Sequence, residues 1–177
     1  MKKALLIASV LFIAVISTAC INNIAVQELN NKAAEYMQKG DYESAVNRLQ
    51  ASIDLDSTMY ETYYNLGIAA TNAKKYDVAI EALQDGIKIK PDYANFYYSL
   101  AIAQAEYSEF LMEIKEDNKE INEENKIKSE ELKNQAITNA KKYLEIAPNA
   151  EDKETVEEFL KDLNKEEKQE QPIVLKG

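Results

Sequence analysis

Histidine is missing from all 177 residues, which excludes imidazole acid–base catalysis and histidine-ligated metal. The single cysteine, Cys20, excludes an intrachain disulfide. Arg48 is the sole arginine, leaving little scope for bidentate clamps on carboxylate or phosphate. Acidic residues outnumber basic ones 31 to 21, and the formal net charge of −10 makes nucleic acid and anionic lipid surfaces poor partners. Adjacent acids such as Glu123-Glu124 and Glu130-Glu131 are numerous, but neighbours on a helix point different ways, and nothing selects a carboxylate pair in a pocket. Asp117-Asn118-Lys119 opens like a calcium loop yet lacks the third-position oxygen ligand and the central glycine. On this inventory no catalytic residue, metal or other cofactor is expected, and the chain reads as a non-enzyme.

What is present begins at the N-terminus. Lys2-Lys3 precedes an apolar run from Ala4 to Ile16 that only Ser9 interrupts, followed by Ser17-Thr18-Ala19-Cys20. A charged tip, about a dozen apolar residues and a small-residue site make an export signal that is too short for a stable membrane span. The position of Cys20 resembles the lipobox of bacterial lipoproteins, which implies cleavage after residue 19 and lipidation of Cys20. Ser17 departs from that pattern, where a large apolar residue is usual. Ser17 and Ala19 also fit an ordinary signal-peptidase site, so a soluble secreted form is the alternative. Cleavage would leave 158 residues and, by removing Lys2 and Lys3, a net charge of −12. That length suits one domain with its own core.

Self-comparison at a shift of 34 residues aligns Tyr42 with Tyr76, Ala45 with Ala79, Leu49 with Leu83 and Ile53 with Ile87. It also aligns Tyr63 and Tyr64 with Tyr97 and Tyr98, Leu66 with Leu100, and Gly67 with Ala101. Small residues at Ala33, Gly67 and Ala101 allow close backbone approach, and leucines fill the gaps between them. This pattern resembles the tetratricopeptide repeat, which implies an all-α fold of about three helical hairpins in a short right-handed solenoid. The first unit, 26–59, has expected helices near 25–38 and 42–54; the second, 60–93, has them near 60–73 and 76–89. Lys32 and Ser57 depart from the family, which favours an apolar residue and a proline there.

The third unit, 94–148, opens at Ala94 but is interrupted. From Ala101 to Ala136 is 35 residues where Gly67 to Ala79 takes 12, so 23 residues are inserted, about 106–130. Asp92–Ala147 contains no glycine or proline, a composition that favours helix. The expectation is an antiparallel arm reversing near Asp117–Asn125, with about eleven extra residues on each side and a projection of roughly 15 Å. Its outgoing seam runs Tyr97, Leu100, Gln104, Tyr107, Leu111, Ile114, Asn118, Ile121 at coiled-coil-like spacing. The returning seam is poorer, with Ile127, Leu132, Ala136 and Ile137. Either the two arms bury each other, or Leu111, Ile114 and Ile121 stay partly open for a partner helix. A capping helix is expected over 149–165, with Val156, Phe159, Leu160 and Leu163 on one face, and a disordered tail over 166–177.

Residues 1–19 therefore read as signal, 20–24 as lipidated cysteine and tether, and 25–93 as the first two units. The resemblance further implies binding along a concave face formed by first helices. It places Asn30, Glu61, Tyr64, Asn65, Ile68, Asn72, Asn95, Tyr98, Ser99 and Ile102 there, together with Gln27 and Ala34. The family's clamp for a peptide's terminal carboxylate needs basic residues where this chain has Asn30, Asn95 and Ser99. Only Asn65 matches, so that clamp is not expected. Tyr64 and Tyr98 could serve ligand contact or inter-repeat packing. The function expected is a membrane-anchored scaffold in the bacterial envelope, held at the cell or outer membrane through Cys20 and binding envelope proteins or peptides. A self-associating structural protein is the alternative.

Overall fold

The computed structural model describes residues 23–114 and 118–169; the export segment, Cys20 and residues 170–177 lie outside them. Seven helices and no strand occur among the described residues: α1 (23–38), α2 (Tyr42–Leu55), α3 (Tyr60–Asn72), α4 (Tyr76–Ile89), α5 (Ala94–Glu113), α6 (Lys119–Ile146) and α7 (Lys153–Gln169). Each helix from α2 to α5 packs on its neighbours in sequence, and α3 also touches α5, its counterpart in the next hairpin. The first-helix row and the second-helix row thus form two layers.

Local chemistry sets the hairpin ends. Asp41 caps α2 by accepting the Ser44 N–H at 3.1 Å. The preceding turn needs a left-handed residue, supplied by Gly40 at φ 75°. Thirty-four residues on, Lys74 takes the same conformation at φ 58° without glycine's freedom. Where Ser57 replaces the family's proline, Asp56 ends α2 instead: its carboxylate accepts from the Thr58 N–H at 2.9 Å and from the Thr58 hydroxyl at 2.7 Å. Lys32, the other departure, stays in solvent beside Glu35, while Val26 and Ala33 bury the opposite side of α1.

The main core joins α1 to α5 through Ala33, Val46, Leu49, Leu66, Leu83, Phe96 and Leu100. Close approach depends on two glycines. A Cβ on Gly67 would lie 2.4 Å from Leu83 Cγ, and one on Gly86 would lie 2.2 Å from the Phe96 ring. A second cluster seats α7 on α5 and α6 through Val156 and Leu163, with Phe159 and Leu160 alongside. The helix reaches Gln169, beyond the expected end at 165.

The arm differs from expectation in three respects. First, it is lopsided. Relative to α3 and α4, of 13 and 14 residues, α5 has 20 and α6 has 28, so the extensions are seven and fourteen. The returning helix begins at Lys119, earlier than expected, because Asn118 is the cap of α6 and accepts the Glu120 N–H at 2.9 Å. Ile121 therefore sits on the returning helix, and the outgoing seam stops short of it. Second, Leu111 is buried, packed with Tyr76, Tyr107 and Leu132. It offers no open surface to a partner helix; Ile114 is half-buried and Ile121 is 40% exposed. Ile127, expected in the returning seam, is 61% exposed.

Third, the arm docks on the stack. Tyr107 stacks on Tyr76 of α4 with ring centroids 5.2 Å apart, and its hydroxyl donates to Asp77 at 3.2 Å. Lys128 reaches the same hydroxyl at 2.8 Å and lies 4.5 Å from the Tyr107 ring centre. Inside the arm, polar groups pair: Gln104 with Gln135 and Asn139, each at 2.8 Å, and Ser108 with Ser129 at 2.7 Å.

Candidate functional site

The inner faces of α3 and α5 bound a groove of about 390 Å³. Tyr64, Ile68, Thr71 and Asn72 line it from α3; Asn95, Tyr98, Ser99, Ile102 and Glu106 line it from α5. Asp152, in the connection before α7, closes one side. Helical spacing explains the set: positions 64, 68, 71 and 72, like 95, 98, 99, 102 and 106, fall three or four apart on one face. Seven of the residues expected on the concave face are brought together here.

The other five lie elsewhere, Gln27 and Ala34 being exposed on α1 outside the groove. Asn30 holds helices together: its amide donates to Ser52 Oγ at 3.0 Å, and its carbonyl oxygen accepts from Thr62 Oγ1 at 3.3 Å. Both partners are buried, so Asn30 ties α1 to α2 and α3 and is not offered to a ligand. Glu61 is exposed and Asn65 half-buried, and neither lines the groove. By the 34-residue equivalence they hold in α3 the places of Asn95 and Ser99 in α5, which puts them on the α1 side of α3.

Both tyrosines pack and line the groove at once. Tyr64 meets Tyr93 and Phe96 edge-on at 5.4 and 5.6 Å. Tyr98 lies 5.3 Å from Tyr143 and 5.9 Å from Phe159, so α6 and α7 fix its orientation. Burial, and then the Asp152 charge, raise the Tyr98 phenol above its ordinary value. Behind it, the Tyr143 hydroxyl donates to Asp152. Burial, and then that bond to a carboxylate, push the Tyr143 phenol up to about 12. At the other end, burial and then Glu109 raise the Glu106 carboxyl, with Lys74 acting in the opposite sense.

Sequence reasoning missed Glu106, Thr71 and Asp152. Glu106 was accessible to it, since the 34-residue shift carries Asn72 onto Glu106. Asp152 enters only through the docking of α7. Among the described residues no cluster of metal-ligating side chains occurs, and no helix is long and apolar enough to cross a membrane. The remaining expected site, Cys20, lies outside the described residues.

Models of the TPR repeat and of the tetratricopeptide repeat match residues 33–70 and 60–93. The chain is 30% identical over 101 residues to a TPR repeat-containing protein of Methanocaldococcus jannaschii, covering 57% of this chain and 17% of that one. It is 28% identical over 79 residues to the small glutamine-rich tetratricopeptide repeat-containing protein 2 of Mycosarcoma maydis, covering 45% and 22%. The chain thus spans about a fifth of the length of these relatives. Among solved structures, the second TPR domain of human RPAP3 in complex with the HSP70 peptide SGPTIEEVD superposes with a TM-score of 0.62 at 14% identity, covering 81% of this chain and 98% of that one. The Yersinia enterocolitica type III secretion chaperone SycD, in complex with a peptide of the translocator YopD, gives 0.60 at 19% identity, covering 80% and 93%. At these identities the likeness is one of fold. Residues 33–93 carry tetratricopeptide repeats, and the chain folds as a short, all-helical TPR-like solenoid.

Proposed function

We propose that this chain is a membrane-tethered adaptor that holds an extended segment of a partner protein in the α3–α5 groove. The observation that carries this reading is the groove itself: aromatic faces at Tyr64 and Tyr98, apolar Ile68 and Ile102, and side-chain amides at Asn72 and Asn95 along one channel. Tyrosine gives contact area at low entropy cost, and asparagine can bond an extended backbone. RPAP3 and SycD, which share the fold, are seen with peptides bound. TPR domains are typically protein-binding modules and not enzymes, in keeping with this inventory of side chains.

The tether rests on the sequence before residue 23. A lipid on Cys20 would stand three residues from the start of the described α1, a reach of about 10 Å. The domain would then lie against an envelope membrane, where its charge of −12 would not hold it.

Two variants test the parts separately. Asn72→Ala with Asn95→Ala removes exposed amides and should leave the thermal midpoint within about 2 °C. Crosslinked partner recovered from membranes should fall at least about tenfold if each amide contributes about 1 kcal/mol. Unchanged recovery would refute the groove. Cys20→Ser should fold normally and leave the membrane fraction; retention there would refute the lipid anchor.

A further inference from the structure

The amides and carboxylates of the groove present acceptors, beside the hydroxyls of Tyr64, Tyr98 and Ser99. The Asn72 amide N–H donates to its own helix at Ile68 O (2.9 Å), and that of Asn95 donates to the Tyr93 hydroxyl (3.3 Å). Both residues are exposed, and both carbonyl oxygens remain to accept. The Thr71 hydroxyl is turned inward and donates to Gly67 O at 2.9 Å. Asp152 uses one carboxylate oxygen on Tyr143, which leaves the other. Glu106 adds a second carboxylate, and no lysine or arginine lines the channel.

We infer that the groove selects a segment bearing two lysine or arginine residues, whose cationic heads pair one with Glu106 and one with Asp152 while its backbone N–H groups meet Asn72 and Asn95. This rests on the groove being the binding site. It gives the partner a chemistry opposite to that of the acidic peptide SGPTIEEVD seen with human RPAP3. An anionic tail would find two carboxylates and no counter-charge in this channel, an arrangement that disfavours it as strongly as it favours a cation. Two further features fit a cation. The Glu106 carboxyl feels the Glu109 charge more than the opposing Lys74 charge, and an incoming ammonium would relieve that repulsion. The Tyr64 and Tyr98 rings offer flat surface to the aliphatic stem of the same side chain. Glu106 lies two turns beyond Tyr98, whose phenol feels the Asp152 charge. Tyr98 and Glu106 are about 12 Å apart along α5, or three to four residues of extended chain, which sets the spacing of the two cations.

The test uses the full chain in detergent and three fluorescent decapeptides, identical except at two positions four apart that carry lysine, alanine or glutamate. Anisotropy at low salt should place the lysine peptide at least about tenfold tighter than the alanine peptide, from one or more charge-assisted bonds. The glutamate peptide should be weakest. Raising the salt should shrink the difference. Glu106→Gln, at an exposed position, should reduce the lysine preference several-fold, and adding Asp152→Asn should abolish it. Equal binding of lysine and alanine peptides, or tighter binding of the glutamate peptide, would overturn the inference while leaving the groove reading standing. If Asn72→Ala with Asn95→Ala leaves lysine-peptide binding unchanged, the groove reading fails with it.

Discussion

Helix α5 serves two kinds of packing along its length. From Ala94 to Glu106 it is part of the repeat stack, with Phe96, Leu100 and Ala103 buried in the main core and polar groups turned to the groove. From Tyr107 to Glu113 it is part of the arm, where Ser108 and Ser129 pair inside while Met112 and Ile127 lie in solvent. The stack is mainly apolar within, with Ser52, Thr62 and Thr71 the buried polar exceptions, and polar at the groove; the arm mixes buried Tyr107, Leu111 and Leu132 with paired polar side chains. Apolar burial gives the stack its stability, since shape alone seats Leu83 over Gly67 and Phe96 over Gly86. Hydrogen bonds between fixed partners set the register of the arm, because a one-residue slip would leave Gln104 or Ser108 buried without a partner.

The largest effect should come from the stack. Phe96, fully buried among Tyr60, Tyr64, Tyr93 and Gly86, should cost about 3–5 kcal/mol when changed to alanine, read from the urea midpoint. A loss below about 1 kcal/mol would break the claim that apolar shape carries this region.

Gln104→Leu should cost less, about 1–2 kcal/mol, because Gln135 and Asn139 are half-buried and can be partly rehydrated. Hydrogen exchange should quicken in α6 and leave α2 to α4 protected. Equal acceleration throughout would mean that arm and stack open as one unit.

Tyr143→Phe sharpens the comparison at the junction with α7, at about 1 kcal/mol for its bond to Asp152. The folded state raises this phenol from 10.0 to about 12. Its contribution is therefore complete below pH 10 and is lost as pH rises through about 12. The stability difference between wild type and variant should be constant from pH 7 to about 9 and shrink above that; a constant difference to pH 12 would contradict the assignment.

The smallest effect is a gain. Lys74→Gly should stabilise by about 0.5–1 kcal/mol, since a left-handed residue there needs no side chain. The mirror change at its repeat equivalent, Gly40→Ala, should destabilise by a similar amount. If both shift the thermal midpoint the same way, the two turns are not equivalent.

How much was legible in the sequence follows the same division. The hairpins of the stack could be read because turn residues and buried positions recur at 34, so that each unit corrects the other. The inserted arm has no such register. Asn118 was read as a seam position when it is a cap, although Asn followed by Lys119-Glu120 is a helix-start signal; the reversal was consequently placed too late. The insertion alone leaves Leu111 either covered by the arm or open, because its actual cover, Tyr76, comes from α4, outside the insertion. The groove was legible where periodicity governs it, at Tyr64, Ile68, Ile102 and their neighbours. It was not legible at Asn30, whose partners Ser52 and Thr62 lie 22 and 32 residues away, or at Asp152, which α7 brings in.

The most direct measurement is an amide chemical-shift map of the isotope-labelled chain titrated with the lysine decapeptide. The account predicts perturbations over 64–72 and 95–106 and at Asp152, with 119–132 unmoved. Perturbations centred on the arm, with the α3–α5 face silent, would contradict it.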